Sequence, residues 1–245
     1  MSGFSLFRCV LLSTLLLTLA CEQKSSPEGG QPGTGKPAAT QKDGSGAAST
    51  TPAAAAPAAD KQAASPKPAD GPPRVEFLVG QDSQDWGRIV IELNPEKAPI
   101  SSRNFVRYVQ EGFYDGTIFH RVMPDFMIQG GGFTSPTEQK LQGLHEPIEN
   151  ESRNGLKNER GTIAMARTGL PHSATSQFFI NVKNNPNLDY PSFDGWGYAV
   201  FGRVVDGMDV VDRIKEVETR PNPAMDGEKS QPVNPPVIRT ARVVK

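Results

Sequence analysis

The chain has 245 residues, 26 of them basic and 27 acidic. That balance argues against a general nucleic-acid binder, whose surface must be basic enough to displace counterions from phosphates. No apolar run reaches the roughly 20 residues of an ordinary transmembrane helix. Both cysteines, Cys9 and Cys21, stand near the start, so the rest of the chain can form no internal disulfide.

Residues 1–20 have the layout of a secretory signal: one charge, Arg8, then an apolar stretch from Val10 to Leu19 that is too short to span a bilayer. The stretch ends Leu17-Thr18-Leu19-Ala20-Cys21, which resembles a bacterial lipobox, although Thr18 stands where Leu is usual. The resemblance implies lipidation of Cys21 and an envelope protein facing the periplasm. More than one acyl chain would give stable membrane attachment. Glu22, rather than Asp, follows the cysteine, which favours the outer over the inner membrane.

Residues 21–73 follow as a tether. After Cys21 they hold no Val, Ile, Leu, Met, Phe, Trp or Tyr, and Ala, Pro and Gly fill 29 of the 52 positions. Such a segment cannot bury enough apolar surface to offset its ordering entropy. As a coil it would reach roughly 40 Å root-mean-square.

Residues 74–245 suit one domain with a single sizeable core. Short apolar or alternating runs predict strands at Arg74–Val79, Gly87–Leu93, Thr117–Val122, Phe126–Gln129, Gly161–Ala166, Gln177–Val182, Tyr198–Val205 and Val237–Val244. Several short strands with Gly/Pro/Asn-rich loops suggest a sandwich or barrel. One helix is predicted from Pro99, capped by Ser101 or Ser102, with Phe105, Val106 and Val109 on one face and Gly112 at its end. A second follows Asp206-Gly207, with Met208, Val211 and Ile214 at helical spacing.

The chemistry is narrowed by elimination. No nucleophile elbow, P-loop or dinucleotide fingerprint is present. Gly130-Gly131-Gly132 lacks the Lys and helix of a phosphate cradle and reads as a strand ending in a tight backbone approach. His120, His145 and His172 have no close partner at metal-ligand spacing, so no metal site is expected. Asp189, Asp194 and Asp209 read as solvated loop or cap residues. What stands out is Phe119-His120-Arg121-Val122-Met123-Pro124-Asp125-Phe126-Met127-Ile128-Gln129-Gly130-Gly131. On a strand from Phe126 to Gln129, Phe126 and Ile128 would face one way and Met127 and Gln129 the other. Arg121, across the turn, could then lie beside a Met/Phe surface with a Gln amide to orient it.

This run resembles the cyclophilin-type peptidyl-prolyl isomerase signature. So do Gly161-Thr162-Ile163-Ala164-Met165-Ala166-Arg167, Ser176-Gln177-Phe178-Phe179-Ile180-Asn181 and Tyr198-Ala199-Val200-Phe201-Gly202-Arg203-Val204, in the family's order. The resemblance covers essentially all of residues 74–245 and is especially close to short single-domain bacterial enzymes. It implies a mainly β fold, a closed eight-stranded antiparallel β-barrel capped by two α-helices. It also implies an enzyme that accelerates X–Pro isomerisation in proline-containing polypeptides, as a monomer with no cofactor and no nucleic-acid partner.

Rotation about an X–Pro amide faces a barrier of roughly 18–20 kcal/mol because resonance is lost, and it requires no nucleophile, metal or proton relay. Only interactions stronger in the twisted state accelerate it. Carried over by motif position, Arg121 is the catalytic donor and Gln129 holds its guanidinium. Phe126, Met127, Phe179 and Leu188 form the proline pocket, with Tyr198 at a pocket position that is often His. Ala166, Arg167 and Thr168 line the peptide groove, and Gln177 offers an amide to the peptide backbone. Asn187 stands where many eukaryotic members carry a cyclosporin-binding Trp, which implies weak sensitivity to that ligand. A second reading makes the groove a proline-peptide-binding chaperone or scaffold module with incidental catalysis.

Overall fold

Alternation of apolar side chains along the first two strands starts the domain. The computed structural model describes residues 71–245. The signal-like segment, Cys21 and nearly all of the tether lie outside the described residues. Strand β1 (Arg74–Gln81) pairs antiparallel with β2 (Gln84–Leu93), and Val75, Phe77, Val79, Ile89, Ile91 and Leu93 are all buried on one face. Among the described residues no helix is long and apolar enough to cross a membrane.

Helix α1 (Pro99–Gln110) opens on a proline, whose missing N–H is no loss at the first helical position. The expected serine cap is absent. Ser101 and Ser102 lie inside the helix and are buried, and Ala98 at the cap position offers no side-chain acceptor. Instead the carboxylate of Glu151 accepts from Ile100 N–H at 2.9 Å and Ser101 N–H at 2.7 Å. A negative charge is favoured there by both the orphan donors and the helix dipole. The helix delivers Phe105, Tyr108 and Val109 to the core, and Gly112 follows its end with a positive φ of 66°.

The remaining strands are short. They are β3 (Arg121–Met123), β4 (Met127–Gly130), β5 (Phe133–Ser135), β6 (Glu138–Gln139), β7 (Thr162–Met165), β8 (Phe178–Asn181), β9 (Val200–Asp206), β10 (Thr219–Asn222), β11 (Glu228–Pro232) and β12 (Val237–Val244). Helix α2 (Met208–Lys215) follows β9 and buries Val210, Val211 and Ile214. Eight strands form one antiparallel sheet in the order β12-β1-β2-β9-β7-β8-β4-β3, while β5–β6 and β10–β11 are separate hairpins.

The sheet is a curled half-barrel and does not close as predicted. Its outer strands, β3 and β12, share no ladder. The predicted strand from Thr117 is regular only from Arg121, and Ile118 makes one isolated bridge to Val237. Ile238 N–H donates to the Thr117 carbonyl and Gly116 N–H to the Ile238 carbonyl, each at 2.8 Å, but Pro235 and Pro236, which precede β12, carry no N–H to extend these bonds into a ladder. The Pro236 carbonyl still accepts from Phe119 N–H at 2.9 Å.

Side-chain alternation gives the central strands two faces. One carries the main core, where Phe77, Phe105, Tyr114 and Phe178 meet with ring centroids 5.2–5.9 Å apart, together with Ile128, Ile163 and Ile180. The other carries a smaller buried cluster of Met127, Ala164, Phe179, Leu188 and Val200.

Candidate active site

The smaller cluster lies where the sequence predicts a proline pocket. Met127 from β4, Phe179 from β8 and Leu188 from a 3-10 turn (Pro186–Leu188) are buried in it, and Phe126, Ala166 and Tyr198 pack against it partly exposed. Phe179 and Tyr198 meet edge-on with centroids 5.6 Å apart. Phe126 departs from the expectation that it faces with Ile128. It sits in the turn before β4, with its N–H bonded to the Met123 carbonyl at 3.0 Å, and so joins Met127 rather than the core.

Register brings Arg121 to this face. Arg121 stands opposite Gln129 across β3–β4, Met123 opposite Met127, and Gln129 opposite Phe179 across β4–β8. Residues two apart on a strand share a face and cross-strand partners share it too. Arg121, Met123, Met127, Gln129 and Phe179 therefore lie on one side of the sheet, a half-buried cation beside an apolar cluster.

The guanidinium is not held by Gln129. Its Nε and Nη2 donate to the two carboxylate oxygens of Glu228 at 2.8 and 2.9 Å. Arg121 thereby holds the Glu228 carboxyl below its ordinary pKa. Gln129 instead donates to Gln177 Oε1 at 2.9 Å. The glycine run makes room for this amide pair: a Cβ on Gly132 would stand 2.4 Å from Gln177 Cγ, and one on Gly131, whose φ is 79°, would stand 2.7 Å from the Phe178 ring. The tight backbone approach expected there is thus an approach to side chains of both faces.

Arg167 also departs from expectation. Its side chain is only 2% exposed, its guanidinium lies 4.5 Å over the Tyr198 ring, and it donates to Asp194 at 2.5 Å, Gly197 O at 3.2 Å and Thr168 O at 3.0 Å. It clamps the loop behind the pocket rather than presenting donors to a groove. Ala166 N–H bonds to the Gln177 carbonyl at 3.0 Å, and exposed Thr168 bonds to Ser173 Oγ at 2.8 Å.

The support for Leu188 and Phe126 was not legible in the sequence. Buried Asn185 donates to the Phe126 carbonyl at 2.8 Å and to Asn181 at 2.7 Å, and Asn181 donates to Asn158 at 3.2 Å. Asp189, read as solvated, accepts from Asn158 N–H at 2.7 Å, and Asp194 pairs with Arg167. Apart from the Asn185–Asn181 bond, four positions apart, these contacts join segments some 20–60 positions apart, so no local signal could reveal them. Glu228 was missed for the same reason.

His120, next to Arg121, is buried, and its ring lies tilted over Phe133 with centroids 4.4 Å apart. Burial pushes its pKa down to about 4, so it is neutral near pH 7. No group of three or more His, Cys, Asp or Glu side chains able to hold a metal ion occurs among the described residues.

A half-buried guanidinium beside an apolar cluster can bind an extended peptide, grip a proline ring and offer N–H donors to its amide. A model of the family "Cyclophilin type peptidyl-prolyl cis-trans isomerase/CLD" matches residues 78–243. The chain belongs to this family. It is 56% identical over 160 residues to the peptidyl-prolyl cis-trans isomerase cyp18 of Streptomyces antibioticus, covering 64% of this chain and 93% of that protein. It is 60% identical over 135 residues to peptidyl-prolyl cis-trans isomerase B of Escherichia coli strain K12, covering 54% and 81%. Against peptidyl-prolyl cis-trans isomerase A of Dickeya dadantii strain 3937 the identity is 52% over 159 residues, covering 65% and 80%. This cyclophilin-type domain is a peptidyl-prolyl cis-trans isomerase.

Proposed function

We propose that Arg121 is the donor that stabilises the twisted X–Pro amide, and that the enzyme serves proline-containing clients in the bacterial cell envelope, held to a membrane by a lipid on Cys21. One observation carries the first part: the β3–β4–β8 register that sets Arg121 on the same face as Met127 and Phe179. As the amide twists, its nitrogen loses conjugation and becomes a better hydrogen-bond acceptor. A guanidinium N–H aimed at that nitrogen is therefore worth more in the transition state than in the planar ground state.

The ring of the proline would enter the cluster of Phe126, Met127, Phe179 and Leu188, with Tyr198 at its side. Excluding water there strengthens the donor's effect. The acyl side of the peptide would run past Ala166 and Thr168, with the Gln177 amide facing its backbone. Nη1 of Arg121 meets no acceptor among the described residues, which leaves that edge of the guanidinium for substrate.

Arg121→Ala is expected to lower kcat/KM for an Ala-Pro test peptide roughly 100-fold while the protein keeps a cooperative melt. Full activity in that variant would overturn the role of Arg121. The envelope part rests on the lipobox-like Leu17–Cys21 segment and the apolar-free tether. Mass spectrometry of the mature N-terminus tests it: an acylated Cys21 supports it, and an unmodified cysteine or an uncleaved signal refutes it.

A further inference from the structure

We propose that Glu228 is a positioning residue for the isomerisation, the carboxylate that sets the plane of the Arg121 guanidinium. The inference rests on the reading of Arg121 given above.

The geometry is side-on and bidentate. Nε and Nη2 of Arg121 each donate to a different oxygen of one carboxylate, at 2.8 and 2.9 Å. Two parallel bonds to a rigid planar fork fix its plane as well as its position, where a single bond would leave it free to swivel. They also decide which donors remain. With the Nε–Nη2 edge occupied, the Nη1 edge points away from Glu228 and is the part of the guanidinium left for a peptide amide. Gln129, the cross-strand partner of Arg121, has its own amide engaged with Gln177 and makes no bond to the guanidinium. Glu228 is therefore the side chain that orients the cation.

The carboxylate is itself held by a built element. Glu228 opens β11, opposite Asn222 on β10, and β11 packs beside β3. The turn between the strands is fixed by Asn222, whose side chain accepts from Ala224 N–H at 3.0 Å and whose carbonyl accepts from Gly227 N–H at 3.0 Å. Asp226 and Gly227 both take positive φ, 50° and 80°, which turns the chain back into β11. Arg220 ties the two strands together through Gln231 at 3.0 Å, and the Gln231 amide reaches the Pro136 carbonyl at 3.4 Å. Both ends of the ion pair are partly withdrawn from water, with side-chain exposures of 19% for Arg121 and 30% for Glu228. A pair so placed, with both partners on sheet elements, holds its geometry better than a surface pair between free side chains.

The same contact admits an opposite role, in which Glu228 competes with the peptide for the guanidinium, and kinetics separate the two. A proline tetrapeptide is used as substrate with the full-length enzyme, and kcat and KM are resolved by exchange NMR or a coupled assay. Glu228→Ala is expected to lower kcat about tenfold with KM changed less than about twofold. Glu228→Gln, which keeps the shape but offers one acceptor where the carboxylate offers two, is expected to fall between Glu228→Ala and wild type, with a kcat loss of about threefold to fivefold. In an Arg121→Ala background, Glu228→Ala is expected to add less than about twofold, because it acts only through the arginine. A Glu228→Ala enzyme as fast as or faster than wild type would overturn the proposal. An undiminished tenfold loss in the Arg121→Ala background would also overturn it, by showing a general structural effect. If Arg121→Ala alone leaves kcat/KM intact, the reading of Arg121 fails, and the role of Glu228 falls with it.

Discussion

The two faces of the central strands do different work with nearly the same residue types. On one face Ile128, Ile163, Phe178 and Ile180 join a large aromatic core closed on the other side by α1 and α2. On the other, Met127, Ala164 and Phe179 build a small cluster roofed only by loop residues and by side chains left partly exposed. Each strand switches role at every residue, so neighbours in sequence serve opposite ends: Phe178 and Phe179, Ile128 and Met127. Hydrophobicity alone does not separate a core face from a binding face. What separates them is whether a second layer covers the apolar side chains.

The sharpest way to break this comparison is to truncate the two adjacent phenylalanines. Phe178→Ala removes a fully buried ring that touches Phe77, Phe105 and Tyr114, and a stability loss of about 3–5 kcal/mol in urea unfolding is expected. Phe179→Ala opens a smaller, less enclosed cluster and is expected to cost about half as much stability, but to lower kcat/KM roughly 10–100-fold. Equal stability losses, or intact activity in Phe179→Ala, would show that the second face is simply more core.

The paired glycines sharpen the same contrast at smaller cost. Gly131→Ala combines a strained positive φ with a clash against the Phe178 and Tyr114 rings, so about 2–4 kcal/mol of stability should be lost. Gly132 has no such φ, and its new methyl would meet Gln177 instead. Gly132→Ala should leave the melt within about 1 kcal/mol and lower kcat/KM roughly threefold to tenfold by displacing that amide. Measuring melts and rates on both variants checks whether the two effects divide as stated.

A further effect, of pH alone, concerns His120. Its folded pKa of about 4 lies below the ordinary 6.5, so the unfolded chain binds the proton first and stability is lost as pH falls from 6.5 towards 4. Between pH 7 and pH 5 this group should remove about 2 kcal/mol from wild type. In His120→Gln that share of the acid slope should vanish, which melts at the two pH values would reveal. An unchanged slope would show that other groups govern acid unfolding.

Much of the fold could be read locally. Eight apolar runs correspond to the eight strands of the main sheet, and both helices begin and end close to their sequence signals, because burial imposes a period of 2 or 3.6 on nearby residues. The unpredicted hairpins β5–β6 and β10–β11 and the turn that holds Phe126 are local, but the other failures are nonlocal. Ser101 and Ser102 have the right chemistry for a cap, yet Glu151, fifty positions away, occupies the helix start. The barrel was expected to close, yet Pro235 and Pro236 remove the donors its seam would need. Arg167 has the composition of a groove residue, yet Tyr198 and Asp194 bury it.

By itself, then, the sequence determined the strand and helix periodicity, the apolar face that carries Met127 and Phe179, and the ordered motifs that place the chain among the cyclophilin-type isomerases. Its signal-like start and tether stand as sequence readings alone. Tertiary structure decided which partner each polar group takes. Arg121 has the same chemistry whether Gln129 or Glu228 holds it, and only the packing of the β10–β11 hairpin beside β3 brings the carboxylate, 107 positions later, within 2.8 Å. Periodicity is a property of neighbours along the chain, whereas the pairing of a charge depends on where distant segments meet.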